Sequence, residues 1–347
     1  MIGAARPARR PGAAVMAVAT TLALALSACA PAPQAPPPAK AAAPAARPEP
    51  AAPSQADLRK ARAERNRAAN AAATAASARA GSASQAQRAL YAEYQRSRLA
   101  RGLLRRDRVP QDAPIDADRL VRDFAAIALR DEYAADGSRV AGGRPAPLRR
   151  WQGPVLLQPE FGASTDTGTA RILRAEIAEI AARLSQASGH PVRVVDQGGN
   201  FPVMVLTEDE RRAVGPRLAQ LVPGIPAADI AALTDLAPGN LCTVFAYSQN
   251  AEQRYARAVA LIRAELPPLL RRSCLHEELA QGMGLANDSP AARPSVFNDD
   301  EEFAELTRHD ELLLQILYDP RLAPGMSEAE ALPIVRVIAA ELLTTGI

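Results

Sequence analysis

A chain of 347 residues is long enough for two domains, but its net charge of +3 averages over very unequal parts. Residues 1–54 carry a balance of +4, residues 55–108 of +9 and residues 109–347 of −10, so a basic arm precedes an acidic domain. With no basic patch interleaved with aromatics, nucleic acid is not an expected partner. The three Cys do not have zinc-ligand spacing.

The amino end begins with Arg6, Arg9 and Arg10, followed by an apolar run from Ala13 to Leu26. That run falls short of the about 20 apolar residues a membrane-spanning helix needs, and behind a basic start it reads as a secretory signal. It ends in Leu26-Ser27-Ala28-Cys29, which resembles the lipobox of bacterial lipoproteins. The resemblance implies a signal peptide over residues 1–28, cleavage before Cys29, and a lipid on that thiol as the membrane anchor. An ordinary secretory signal with a chance Cys is the other reading. Ala30 stands where Asp would direct inner-membrane retention, so an outer-membrane anchor facing the periplasm is expected.

Residues 29–54 are rich in Pro and Ala and cannot bury enough apolar surface to fold; an extended, disordered tether is expected. At about 3.1 Å per residue it reaches roughly 75 Å. Residues 55–108 turn to Ala, Arg, Gln and Glu and predict a long, mostly solvated basic helix, a spacer without a sustained heptad. Its basic face could meet anionic lipid or the cell wall. If Cys29 is acylated, Cys242 and Cys274 remain as an even pair in an oxidising compartment. A disulfide is then the economical reading, with two buried thiols the alternative.

The folded domain is expected over residues 109–347. Asp116 to Tyr133 predicts an amphipathic helix with Leu120, Phe124, Ile127 and Ala128 on one face. A Gly/Pro-rich loop, Asp136 to Pro147, leads past Trp151 to a strand at Val155–Gln158. Thr169 to Ala187 predicts a helix with Ile172, Leu173, Ile177, Ile180 and Leu184 inward. Strands follow at His190–Val195, Phe201–Thr207 and Leu241–Tyr247; Tyr255 to Arg263 fits strand or helix. Helices close the chain at Leu269–Leu285, Glu302–Leu317 and Ser327–Leu343. This order predicts an α+β domain.

Chemistry concentrates in Cys274-Leu-His-Glu-Glu-Leu-Ala-Gln-Gly-Met-Gly-Leu-Ala-Asn-Asp288. His276-Glu277 starts like an HExxH zinc helix, but Ala280 stands where the second His belongs. Shifted by one residue, Glu277, Glu278, Gln281, Gly284 and Asn287 fall on the positions of HExxHxxGxxH, with Asp288 next. Glu278 keeps the general-base position and Gly284 the turn glycine. Glu277, Gln281 and Asn287 replace the histidines. The segment resembles a metzincin-type zinc helix without its ligands. Oxygen donors of this kind would suit calcium rather than zinc. His276 and His309 could form a separate metal site only if the fold joined them. A polar network pinning the helix is the plainer role for Glu277, Glu278 and Gln281.

These residues, with Arg150-Trp151, Ser295 to Asp299, His309 to Leu314, Tyr318 to Leu322 and Pro324-Gly325-Met326, resemble the bacterial family called domain of unknown function 2927. The resemblance spans about residues 115–340. It implies a secreted protein or lipoprotein with a zincin-like, metzincin-type mixed sheet and helices; the family's activity is unknown. The expected role is therefore a non-catalytic module binding a peptide, protein or cell-wall ligand in a former substrate cleft, without a cofactor. The alternatives are a metallohydrolase with an unusual divalent-metal site and Glu278 as base, or a structural envelope spacer.

Overall fold

The computed structural model describes residues 84–345 except 134–138, 250–251 and 299, and before residue 84 only positions 60, 62, 64, 67 and 81. The signal peptide, Cys29 and the tether lie outside the described residues. Residues Ala61–Ile347 form one compact unit, which holds everything that follows. Among the described residues, no helix is long and apolar enough to cross a membrane.

The domain is α+β. Five strands run parallel in the order β3 (Arg150–Trp151), β8 (Arg254–Arg263), β6 (Phe201–Leu206), β4 (Val155–Phe161) and β5 (Val192–Val194). A sixth, β7 (Cys242–Gln249), pairs antiparallel along β8. A separate hairpin joins β1 (Arg130–Tyr133) to β2 (Arg139–Pro145). The segment Tyr255–Arg263, ambiguous by pattern, is an interior strand, and its alternate side chains serve two cores. Ala258, Ala260 and Ile262 join the main core with Phe201, Val203 and Val205. Val259 and Leu261 join a smaller core with Met204 and Leu206. Strand alternation sends successive side chains to opposite faces, so a sheet covered on both sides carries apolar residues at every position.

One face is covered by α3 (Thr167–Ser188) and α7 (Pro268–Gln281), with α8 (Arg308–Tyr318), α2 (Ala117–Ala128) and α9 (Glu328–Thr345) packed behind. The other carries the short helices α4 (Glu208–Arg212), α5 (Gly215–Leu221) and α6 (Ala227–Thr234), which the sequence reading did not anticipate. Pro159 sits inside β4 without penalty: β5 pairs only Val155 to Leu157, so one edge of Pro159 needs no N–H donor.

Several boundaries differ from expectation. The α2 helix starts on its Asp116 cap, whose carboxylate accepts the Arg119 N–H at 2.7 Å. It stops at Ala128, where its apolar face ends, and the chain enters the hairpin; part of the expected Asp136–Pro147 loop is strand. Ile172 is 58 % exposed rather than inward. The expected Glu302–Leu317 helix begins only after Thr307, because a capping box pairs Thr307 with Asp310 there.

The largest departure concerns the basic helix. Residues 84–100, here α1, expose most of their side chains as expected, but one face lies on the domain. Tyr91 is 2 % exposed and its hydroxyl donates to Pro238 O at 3.0 Å. Ser84 donates to Glu265, and Gln95 accepts the Leu270 N–H. Two tyrosines three residues apart give this stretch one apolar face with polar tips, and burying that face outweighs leaving it wet.

Candidate functional site

The α7 helix starts on Pro267-Pro268, where a missing N–H costs nothing. Its residues at spacings of three and four, Leu270, Cys274, Glu277, Glu278 and Gln281, line one side of a cavity of about 340 Å³. Gly239 to Thr243, at the start of β7, form the second bank, and Val296, Asn298, Glu301 and Phe303 the third. A disulfide, Cys242–Cys274, ties β7 to α7 within the cavity wall. Its loop of 32 residues stabilises the fold by about 3–4 kcal/mol on chain-entropy grounds.

This geometry distinguishes the two frames of the motif. Glu277, Glu278 and Gln281 face the cavity. His276 faces away, buried, with its Nδ1 at 3.5 Å from Leu306 N and its Nε2 at 3.9 Å from Glu305. Burial drives its imidazole down to about 3, against a smaller opposing effect of Glu305, so it stays neutral. Gln281 donates to Asp288 Oδ1 at 2.9 Å across the turn. Asn287 turns away: its amide donates to Ala126 O and Asp288 O, both at 2.8 Å, and its N–H bonds Ile127 O. It closes the turn onto the end of α2 and does not line the cavity.

Gly284 turns the chain after α7 at φ +123°, where a Cβ would sit 2.4 Å from Arg149 O. Beside it, Trp151 Nε1 donates to Gly282 O at 2.8 Å. Gly284→Ala combines backbone strain with a clash against a carbonyl. It is expected to lower stability by about 2–4 kcal/mol, read as a fall in melting temperature. An unchanged melting temperature would show that the turn can relax.

His309 lies elsewhere, fully buried on α8 between Asp123 (Nε2 to Oδ2, 3.0 Å) and Asp310 (Nδ1 to Oδ1, 3.8 Å). Asp310 also accepts from Ser295 Oγ and Val296 N, fixing the third bank. The two histidines therefore have separate partners. Among the described residues, the group of His, Cys and carboxylate side chains close enough to hold a cation is Cys242, Glu277 and Glu278, with ligand atoms within 4.8 Å of one another. Met326 packs against the main core, and its carbonyl accepts the Leu148 N–H.

Three contributors were not read from sequence. Glu301 lines the cavity and accepts from Tyr94 at 2.9 Å, with Arg98 3.2 Å away; burial pushes its carboxyl up. Tyr94 and Tyr91 thereby join α1 to two banks, at Glu301 and at Pro238 beside Gly239. Asn240 and Thr243 carry no local signal and reach the cavity only because β7 is the antiparallel edge strand.

The site thus belongs to an α+β domain with an acidic, amide-bearing cleft between an edge strand and a carboxylate-lined helix. Residues 117–337 match the family described as Protein of unknown function (DUF2927), and the chain belongs to it. No curated protein and no solved structure matches the chain.

Proposed function

We propose that the chain is a cell-envelope lipoprotein, anchored through Cys29 to the outer membrane and facing the periplasm. Its zincin-like domain holds a peptide, protein or cell-wall ligand in the cleft without cutting it. The carrying observation is the fate of the three ligand positions in the motif. Glu277 faces the cavity, Gln281 is engaged with Asp288, and Asn287 is bonded to the backbone of α2. No imidazole converges there, and amides are poor zinc ligands. The zincin-like reading is supported by α7 following β8 directly, its carboxylate face turned to the edge strand β7, and Gly284 closing the turn. A second reading, a metallohydrolase with Glu278 as base, is favoured by the closeness of Glu277, Glu278 and Cys242.

The test uses the full chain purified without reductant. Its metal content is measured by plasma mass spectrometry beside that of Glu277→Ala, and soluble cell-wall fragments and short peptides are scored for retention and cleavage. Retention without cleavage is expected, reduced when Ser273→Arg fills the cavity, and with metal well below one ion per chain in both proteins. Stoichiometric zinc or calcium lost in Glu277→Ala, or cleavage abolished by Glu278→Gln, would establish the hydrolase instead.

A further inference from the structure

We propose that the Cys242–Cys274 disulfide closes a latent site for zinc, or a similarly borderline-soft divalent cation, which opens when the disulfide is reduced. The donors come from two elements. Cys274, Glu277 and Glu278 stand at spacings of three and four on one face of α7, and Cys242 opens β7 across the cavity. The Cys242 sulfur and one oxygen from each glutamate lie within 4.8 Å of one another. Donors arranged tetrahedrally around zinc, at about 2.3 Å for sulfur and about 2.0 Å for oxygen, sit roughly 3.5 Å apart. Side-chain shifts on the order of 1 Å close that difference. The fourth donor, Cys274, is the bonding partner of Cys242 in the oxidised protein.

The oxidised site is shut because the strong ligand is the thiolate, and a disulfide sulfur has no such charge. Both cysteines line the cavity, and Cys242, the less buried of the two, is the sulfur open to attack by a small thiol. A dithiol reductant supplies two electrons to the S–S bond and two protons to the sulfurs, and leaves as its own disulfide. The two thiols then stand beside two carboxylates, whose negative field opposes their ionisation. A divalent cation reverses this: it displaces both thiol protons and binds two thiolates and two carboxylates, so its two charges offset the two the sulfurs gain and the group keeps a net −2. Two sulfurs select zinc over calcium or magnesium. Redox state and cation are thus linked: whatever favours the reduced pair favours zinc, and zinc in turn favours the reduced pair.

A disulfide that only tied β7 to α7 would need no acidic neighbours. Carboxylates one helical turn from Cys274 and converging on Cys242 complete a ligand set once the staple opens. The latent site would form whichever ligand the cleft takes, cut or uncut.

The experiment uses the full chain carrying Cys29→Ser, so that the thiols counted are Cys242 and Cys274. Oxidised and phosphine-reduced protein are equilibrated with zinc alone, and bound zinc and thiol reactivity are measured. The oxidised form should take up no stoichiometric zinc. The reduced form should bind one ion per chain, which shields both thiols from a maleimide, and cobalt in its place should show sulfur-to-metal charge-transfer absorption. Glu277→Gln and Glu278→Gln should each weaken zinc at least tenfold while leaving the disulfide as reducible as before. If reduction unfolds the domain, zinc should restore its circular dichroism. The proposal is overturned if reduction brings no zinc uptake in a folded or refolded chain. It is also overturned if uptake survives Cys242→Ser with Cys274→Ser, or if both glutamine variants bind as the parent does. Stoichiometric zinc already held by the oxidised protein would overturn it as well, because the disulfide would then not shut the site.

Discussion

Glu208→Gln is expected to destabilise the domain by about 3–5 kcal/mol, read as a lower urea midpoint with an unchanged slope. Glu208 opens α4 and lies among fully buried guanidinium groups: Arg211 at 2.7 Å and Arg263 at 2.5 Å. Those arginines also hold a stretch of chain. Arg211 donates to Leu233 O, and Arg263 donates to Leu236 O, Ala237 O and Asn240 O. A neutral amide at position 208 leaves two buried cations without their counter-charge, and the desolvation they suffered on folding is no longer offset. Because the segment they hold ends in Gly239 and Asn240, the variant should also loosen one bank of the cleft. The same group sets an acid limit. Burial alone would raise the Glu208 carboxyl, but Arg211 and Arg263 outweigh it and hold it at about 2, against 4.5 in the unfolded chain. A depressed folded value contributes stability that is present above pH 4.5 and lost as pH falls through 2, up to about 3 kcal/mol. The Glu208→Gln variant should show that much less acid sensitivity; an unchanged acid profile would remove Glu208 from the account.

Much of the domain was legible because its longer elements carry a single period. Leu173, Ile177, Ile180 and Leu184 specify one face of α3 and are all buried. The grouping of Glu277, Glu278 and Gln281 follows from helical spacing alone, since positions three and four apart share a face. Asn287 could not be assigned that way, because it lies beyond the helix end, where a turn of the backbone decides the direction of the side chain. The α4–α6 cap went unread because each helix is short and its apolar residues serve a core completed by Met204, Leu206, Val259 and Leu261 from other strands. Its opening was nonetheless written in Thr207 and Glu210, which form a capping box. The seat of the basic helix was not legible for a related reason. Charge and Ala content describe its wet side, whereas its position depends on Tyr91 and Tyr94 finding acceptors on residues about 150 to 200 positions away. Pairings of that range leave no local pattern.

Alkaline conditions should weaken the domain through His309, the second large effect. Its imidazole is fully buried, and burial alone would lower its pKa; Asp123 and Asp310 outweigh this and hold it at about 9, against 6.5 when unfolded. A raised folded value contributes stability that is fully present below pH 6.5 and lost as pH rises through 9, up to about 3 kcal/mol. Denaturation in urea at pH 6, 8 and 10 should therefore show the midpoint falling across both steps. The effect reaches the cleft by a short path. His309 steadies Asp310, Asp310 accepts from Ser295 Oγ and Val296 N, and Val296 lines the cavity. His309→Gln should flatten the fall and lower stability at neutral pH, because Asp123 and Asp310 then face each other across a neutral group. A midpoint that stays level to pH 10 in the parent would mean that the ring is neutral and that α8 is joined to α2 by packing alone.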